Sequence, residues 1–229
     1  MEGFLDPQTL SYDALNEWIE NKVRQLNQLS FTPELLATFQ PYELAKEIDH
    51  PLGAEGSAEW RRFFLMALVS DWACYTAPVD RADYARLKYI MTSAYRYFRI
   101  WCCRTPEGEL LPVGYSAWYP IAPFVFDSLR NDPSQIDDRG VFMPLRFAKP
   151  EDISSAYLFN VSIIAPLQNT TCAYRMIRAF QREKLKYKGV RNISAITVST
   201  EGKRFSTLGE LHAAGVVTVQ GESETLFLN

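Results

Sequence analysis

Residues Asn160–Phe180 have the sequence NVSIIAPLQNTTCAYRMIRAF, and this stretch decides which folds the chain can adopt. Its first part belongs to an apolar run over Ala156–Ile164 that predicts a buried strand. A polar loop follows over Pro166–Thr170, and Cys172–Lys186 has the apolar spacing of a helix. Because a buried strand passes through a loop into a helix, the stretch predicts the crossover of a mixed, partly parallel sheet.

The same loop predicts an anion-binding site. At a helix N-terminus the backbone N–H groups are free and the helix dipole is positive, which suits a pyrophosphate or a phosphopantetheine group. The alternative is an ordinary helix cap, because Thr and Asn are common capping residues. The loop has no glycine and matches neither a Walker loop nor a dinucleotide-binding motif. The candidate residues for binding this pyrophosphate or phosphopantetheine group are Gln168, Asn169, Thr170, Thr171 and Cys172.

The flanking segments extend the α/β pattern. Upstream, the β-favouring runs Tyr95–Cys103 and Pro112–Ile121 are joined by a turn at Pro106–Glu109 and predict a hairpin. The proline-containing stretch Phe124–Pro150 predicts irregular structure. Downstream we expect a strand over Ile193–Ser199, a helix around Gly202–Ala213, and a closing hairpin of Val216–Gln220 with Thr225–Leu228.

The first ninety or so residues predict helices. A long helix runs through Trp60–Trp72, with Asp71 as the one polar residue on its apolar face, and a further helix is expected over Arg81–Ala94. His50–Ser57 is the best linker candidate, so we expect a helical N-terminal extension over 1–57 and a main domain over 58–229. The predicted fold class is α/β with a mixed α+β sheet. Earlier helix signals are Asp6–Pro7, the periodic residues Leu15, Trp18, Ile19, Val23 and Leu26, and a second start at Thr32–Pro33.

Composition bounds the class of protein. The chain has 229 residues, 47% of them hydrophobic, and a formal net charge of -3, which does not favour nucleic-acid binding. No apolar run is long enough to predict a membrane span, and the N-terminus does not resemble a signal peptide, so we expect a cytoplasmic protein. The four cysteines lack zinc-ligand spacing, so no metal site is expected.

The order of elements resembles the GNAT superfamily of N-acyltransferases. Within it, four segments resemble the RTX toxin-activating protein-lysine acyltransferases. Leu111–Ile121 (LPVGYSAWYPI) is similar to that family's Pro-Val-Ala-Tyr-Cys-Ser-Trp strand, and Ser162–Phe180 to its strand-to-helix segment with an Ile-Ala-Pro core. Gly209–Val216 (GELHAAGV) resembles its Glu-Phe-His-Gly-Gly element, and Trp72–Arg81 (WACYTAPVDR) its tryptophan-bearing segment that leads to Ser-Pro-Leu-His.

The resemblance implies a reaction and a set of site residues. It implies transfer of a fatty acyl group from acyl carrier protein or acyl-CoA to an amine, with a protein lysine as acceptor. Asp80 stands at the position of the family's catalytic histidine, Ser162 at that of its catalytic aspartate, and His212 matches the histidine of its C-terminal motif. A carboxylate in an apolar site can serve as a general base, so the first change is compatible with proton transfer.

Each site residue also has a structural interpretation. Asp80 follows Pro78 and is predicted to cap a helix, and the alternative for His212 is a hydrogen bond within the sheet–helix packing. Cys172 opens a helix whose dipole would activate a thiol, but a small core residue is the simpler alternative. Two other functions stay open: a GNAT-fold binding or regulatory module, and a small-molecule N-acyltransferase. Tyr115, Trp118 and Tyr119 either line an acyl tunnel or fill the core.

Overall fold

The computed structural model describes residues 11–44, 57–132, 152–184, 189–197, 202–203, 206–207, 210–219 and 222–229. The helices are α1 (Tyr12–Gln28), α2 (Pro33–Ala37), α3 (Ala58–Cys74), α4 (Tyr84–Ala94), α5 (Pro123–Asn131) and α6 (Thr171–Lys184). The strands are β1 (Gln40–Tyr42), β2 (Phe98–Arg104), β3 (Leu110–Ile121), β4 (Ser155–Ile163), β5 (Asn192–Thr197), β6 (His212–Val219) and β7 (Glu222–Leu228).

The strands form one seven-stranded sheet in the order β1-β2-β3-β4-β5-β7-β6. β4 and β5 are parallel, whereas β1 with β2, β5 with β7 and β6 with β7 are antiparallel. The predicted mixed sheet of an α/β protein is therefore confirmed, as is the strand–loop–helix at its centre. The β4–β5 ladder covers Ser155–Leu158 and Asn192–Ala195; among the described residues it ends there, although both strands continue.

Contacts divide the chain into two compact units. The first comprises Met1–Ser116 and Ser162–Met176, and the second comprises Ala117–Val161 and Ile177–Asn229. In the first unit α3 is buried along most of its length and α1 packs against it. α1 contributes Leu15, Ile19 and Leu26 to the core, so residues of the N-terminal extension belong to this unit. In the second unit Tyr119 packs on Tyr157, with ring centroids 5.4 Å apart.

Polar side chains cap each of the first four helices, α1 to α4, as expected for Ser, Thr and Asp. Thr32 Oγ1 accepts from the Leu35 amide at 3.3 Å, which confirms the start predicted at Thr32–Pro33. α4 begins three residues later than predicted, because Asp83 rather than Asp80 is its cap. The predicted start at Asp6–Pro7 and most of the linker His50–Ser57 lie outside the described residues. The other caps are Ser11 on the Ala14 amide and Ser57 on the Trp60 amide.

β1 is a correction to the prediction that this part of the chain is entirely helical. Residues Gln40–Tyr42 pair with Ile100–Cys102 and extend the sheet by one edge strand. The preceding Phe39 stacks on Trp101 at 5.1 Å, and its carbonyl accepts from Arg175 of α6 at 2.7 Å. These partners are distant in sequence, so a three-residue strand had no local signal.

The predicted hairpin is confirmed as β2 and β3. Gly108 in its turn has φ +88, which glycine adopts without a steric penalty. On β3 the side chains of Tyr115, Trp118 and Tyr119 are buried, so they fill the core. The expectation of irregular structure over Phe124–Pro150 is wrong for its beginning, where α5 starts with Pro123 at a position that suits proline.

Candidate functional site

The loop between β4 and α6 is anchored to the sheet and capped by Thr170. The Ile164 amide donates to the Val113 carbonyl at 2.9 Å, and a short 3-10 helix covers Ala165–Leu167. Thr170 Oγ1 accepts from the Cys172 amide at 3.2 Å and donates to the Leu167 carbonyl at 2.7 Å. Thr170 therefore has the capping role that the sequence offered as the alternative to anion binding.

The loop nevertheless retains unbonded backbone donors. Among the residues that the structure describes, none accepts a hydrogen bond from the amides of Asn169, Thr171 or Ala173. The first two residues are exposed and Ala173 is half-buried. The amides of Thr171 and Ala173 belong to the first turn of a fourteen-residue helix and that of Asn169 precedes it by two residues; with the helix dipole they form a site suited to a phosphate group.

The five predicted donor-binding residues thus divide into two groups. Asn169 and Thr171 are exposed residues whose amides have no acceptor among the described residues. Gln168 is hydrogen-bonded to neighbouring residues through both its backbone and its side chain. Its backbone amide donates to the Ala165 carbonyl, and its side-chain amide donates to the Ile163 carbonyl. Thr170 is the cap. Cys172 is 1% exposed and packs as a small core residue, so its thiol does not reach the surface.

Ser162 lies near the end of β4, beside the end of α3. Its Oγ is buried and faces the Cys74 thiol, but it makes no hydrogen bond of ordinary geometry with any described residue. Burial raises the pKa of Cys74 to about 12, so this thiol is neutral at physiological pH. A Cβ on Gly114 of β3 would overlap the Ser162 carbonyl oxygen, so glycine permits this close approach of backbone to backbone.

Asp80 is exposed and belongs to a short 3-10 helix over Pro78–Asp80. The prediction that it caps a helix is wrong, because the Asp83 carboxylate accepts from the Arg86 amide at 2.9 Å and α4 begins at Tyr84. Within the described part of the chain, the Asp80 carboxylate makes no hydrogen bond or ion pair. The neighbouring Arg81 instead binds the Tyr75 and Thr76 carbonyls at 3.0 and 3.1 Å.

A buried pair that the sequence analysis did not assign, Asp71 and Tyr115, lies between α3 and β3. Asp71 is 1% exposed, and its Oδ1 accepts from the Tyr115 hydroxyl at 2.7 Å while its Oδ2 accepts from the Ala82 amide at 2.8 Å. Burial raises the pKa of Asp71 to about 6, opposed by these two hydrogen bonds. Burial also raises the pKa of Tyr115 well above its usual range. The sequence signal that could have pointed to this pair was Asp71, a single acidic residue on an otherwise apolar helix face.

His212 lies in the second unit and is the first residue of β6, where it pairs with Leu228. The prediction that a helix continues to Ala213 is therefore wrong at its end. Glu210, with a left-handed φ of 64, turns the chain into the strand. The His212 side chain is exposed and has no partner among the described residues. Ser162, by contrast, belongs to the first unit, as do Asp80 and the start of α6.

Two other classes of site are absent from the described residues. They contain no cluster of three or more His, Cys, Asp or Glu side chains arranged to hold a metal ion. Their helices include none with the length and apolarity needed to cross a bilayer.

The fold is shared with solved structures of GNAT-like proteins. The loading GNATL domain of CurA from Lyngbya majuscula matches with a TM-score of 0.55 at 12% identity, over 83% of this chain and 95% of that one. The GphF GNAT-like decarboxylase in complex with isobutyryl-CoA matches with a TM-score of 0.54 at 10% identity, over 83% and 97%. The NatC complex bound to Gag peptide and CoA matches with a TM-score of 0.50 at 10% identity, over 83% and 94%.

No protein-family model matches the chain, and no curated protein matches it by sequence. At identities of 10–12% the structural matches bear on the fold alone. The predicted GNAT-like fold is therefore confirmed. The resemblance of four segments to the RTX toxin-activating acyltransferases stays a prediction.

Proposed function

We propose that this chain is an acyltransferase that moves a fatty acyl group from acyl-CoA or acyl carrier protein to an amine, with a protein lysine as acceptor. The observation that carries the proposal is the set of three unbonded amides at Asn169, Thr171 and Ala173. Both donors contain phosphopantetheine, so each offers a phosphate to this helix start. Two proteins with the same fold have isobutyryl-CoA and CoA bound, respectively, which supports a thioester donor.

Asp80 supports the transfer step. Its carboxylate is exposed, has no partner among the described residues and has lost its structural explanation as a helix cap. Asp80 is exposed rather than in the apolar site on which the base role was predicted, so its carboxylate would attract the ammonium group of an acceptor and accept a proton only once bound substrate covers it. In the reaction the amine nitrogen bonds to the thioester carbonyl carbon, the carbon–sulfur bond breaks with its electron pair leaving on sulfur, and the thiolate takes up a proton.

Ser162 would assist as a hydrogen-bond donor. The resemblance places it at the position of a catalytic carboxylate, but a hydroxyl cannot balance the charge of a protonated base. Its Oγ is buried against the Cys74 thiol, so it would donate to a developing oxyanion only where the carbonyl of a bound thioester enters beside Cys74. Donors aimed at an oxyanion typically contribute about 2.7–4 kcal/mol to transition-state stability.

One observation favours a second candidate function, the binding or regulatory module. Ser162 stands at the position of the family's catalytic aspartate. The resemblance therefore assigns no second carboxylate to assist Asp80. A module of this kind would bind coenzyme A or a carrier protein without transferring the acyl group. The third candidate, a small-molecule N-acyltransferase, differs from the main proposal only in its acceptor.

Donor binding is tested with purified full-length protein and coenzyme A, by calorimetry and thermal unfolding. Saturation at one hundred times Kd should stabilise the fold by about 2.7 kcal/mol. Thr171→Pro removes one of the three amides at a helix position that accepts proline, so it should fold normally and bind coenzyme A about tenfold or more weakly. The matched control is Ala58→Pro, which removes an amide at the equivalent first position of α3 and should leave the affinity unchanged.

Transfer is tested by thiol release and by the mass of a lysine-containing acceptor protein. Equal affinity of Thr171→Pro and the wild type, or no binding of any thioester, would contradict the proposal. Binding without transfer to any amine would favour the regulatory module. Acylation of free amines but not of protein lysines would favour the small-molecule enzyme.

A further inference from the structure

Asp71 binds both ends of the segment Tyr75–Asp83, which carries Asp80. The Asp71 carbonyl accepts from the Tyr75 amide at 2.9 Å, where α3 ends. The carboxylate of the same residue accepts from the Ala82 amide at 2.8 Å, eleven residues along the chain. Through its second oxygen the carboxylate is held by Tyr115 of β3 at 2.7 Å. One buried side chain thus connects the segment to a helix and to the sheet.

Arg81, which lies within the segment, makes further contacts that fix it. Its guanidinium lies 4.5 Å from the centroid of the Trp72 ring and donates to the carbonyls of Tyr75 and Thr76. These contacts hold the positively charged guanidinium of Arg81 on the α3 side of the segment. Asp80, the preceding residue in sequence, therefore keeps a carboxylate that its neighbouring cation does not neutralise.

We propose that Asp71 is a positioning residue that, together with Tyr115, fixes the segment Tyr75–Asp83 and so places the Asp80 carboxylate for an incoming ammonium group. The inference rests on the proposed function for the role of Asp80. Asp71 itself is 1% exposed and does not touch substrate. A buried carboxylate that receives a backbone amide from a loop and a hydroxyl from a strand fixes that loop to the strand.

The contacts of Asp71 persist when it is protonated. The groups that act on Asp71 are Tyr115 from β3, Arg81 from the segment and Arg86 from α4, and Cys74 lies one turn along its own helix. Burial raises the pKa of Asp71 to about 6. Below that pH the carboxyl group is protonated: its carbonyl oxygen still accepts from the Ala82 amide, and its hydroxyl donates to the Tyr115 oxygen. We therefore expect the segment to stay fixed as the pH falls through about 6.

The first test does not depend on transfer. It measures amide hydrogen exchange of residues 75–83 by mass spectrometry in the full-length chain at pH 7.5. The double variant Asp71→Leu/Tyr115→Phe replaces both buried partners by apolar groups, so the core should remain folded while the Ala82 amide loses its acceptor. We expect exchange in residues 75–83 to rise about tenfold or more. Ser70→Ala is the matched control, because Ser70 bonds the Gly114 carbonyl at 3.3 Å but not the segment.

The second test measures transfer and its pH profile. The double variant should lose about tenfold or more in kcat, while the KM for the donor and the Kd for coenzyme A stay within twofold of wild type. Asp71→Asn keeps an acceptor for Ala82 and a donor for Tyr115, so it should retain more activity than the double variant and show a pH profile like that of the wild type. If the wild type transfers to no amine, the proposed function fails, and exchange alone decides the positioning role. Unchanged exchange of residues 75–83 in the double variant would overturn the inference.

Discussion

The start of α6 and the end of α3 are both polar regions of the first unit, but they use different chemistry. At α6 the donors are backbone amides of Asn169, Thr171 and Ala173, which every residue except proline supplies. At α3 the groups are side chains, Asp71 and Tyr115, which are buried and hydrogen-bonded to each other. The first region therefore tolerates changes of side chain and is insensitive to pH, whereas the second is sensitive to both.

The largest expected effect is that of replacing Asp80. It tests whether Asp80 is the group of the second region that reacts with substrate. Asp80→Asn keeps size and polarity but removes the base, so the transfer rate should fall about 10²–10⁴-fold, the usual contribution of general base catalysis. Thiol release measures the rate, and coenzyme A affinity should not change. Asp83→Asn is the control, since Asn caps α4 as well as Asp does. Undiminished transfer by Asp80→Asn would exclude it as the base.

The next effect concerns the buried charge of Asp71. Its pKa is raised from 3.8 to about 6, so the folded state favours the protonated form. The stability associated with that form is fully present below about pH 4 and is lost as the pH rises to about 6, which amounts to about 3 kcal/mol. Asp71→Asn should lack this decline and be the more stable protein at pH 7. Urea unfolding of both proteins from pH 4 to 8 measures it; parallel stability curves would contradict the burial argument.

A third prediction concerns the place where the two regions meet. Gly114 of β3 precedes Tyr115 and lies against the Ser162 backbone, and a Cβ there would overlap the Ser162 carbonyl oxygen. Gly114→Ala should therefore destabilise the fold by about 1–3 kcal/mol and weaken both regions together. Gly108→Asn in the β2–β3 turn is the control, because nothing lies within 4 Å of its added Cβ and Asn tolerates a left-handed backbone. Equal stability of the two variants, by thermal unfolding, would show that β3 and β4 can shift apart.

The smallest effect separates the two acids of the Tyr75–Asp83 segment. Asp83→Ala removes the cap of α4 and should cost about 1 kcal/mol in the free energy of unfolding. Asp80→Ala removes an exposed side chain without a partner among the described residues and should change stability by less than about 0.5 kcal/mol. Urea unfolding at pH 7 compares them. A cost of Asp80→Ala as large as that of Asp83→Ala would restore the capping role predicted from the sequence.

Much of the fold follows from local patterns, and so does the region at α6. The apolar run of β4, the polar loop and the period of α6 all lie within one stretch of sequence, and the predicted bounds agree with the structure to within one or two residues. The hairpin of β2 and β3 and the cap at Thr32 were predicted for the same reason. Which amides of the loop stay unbonded was not predictable, because Thr170 and the Ile163 carbonyl take up particular partners only in the folded chain.

The sequence by itself determined the α/β pattern, the place of the crossover and the resemblance to acyltransferases of the GNAT type. Tertiary structure alone decided that Gln40–Tyr42 is a strand, that Asp83 rather than Asp80 caps α4, and that Asp71 meets Tyr115. The first and last of those outcomes depend on distant partners, which are 44 residues apart for Asp71 and Tyr115 and 136 residues apart for Arg175 and Phe39. Local periodicity reports which face of a helix or strand is buried, but it carries no information on which distant group will satisfy a polar atom there.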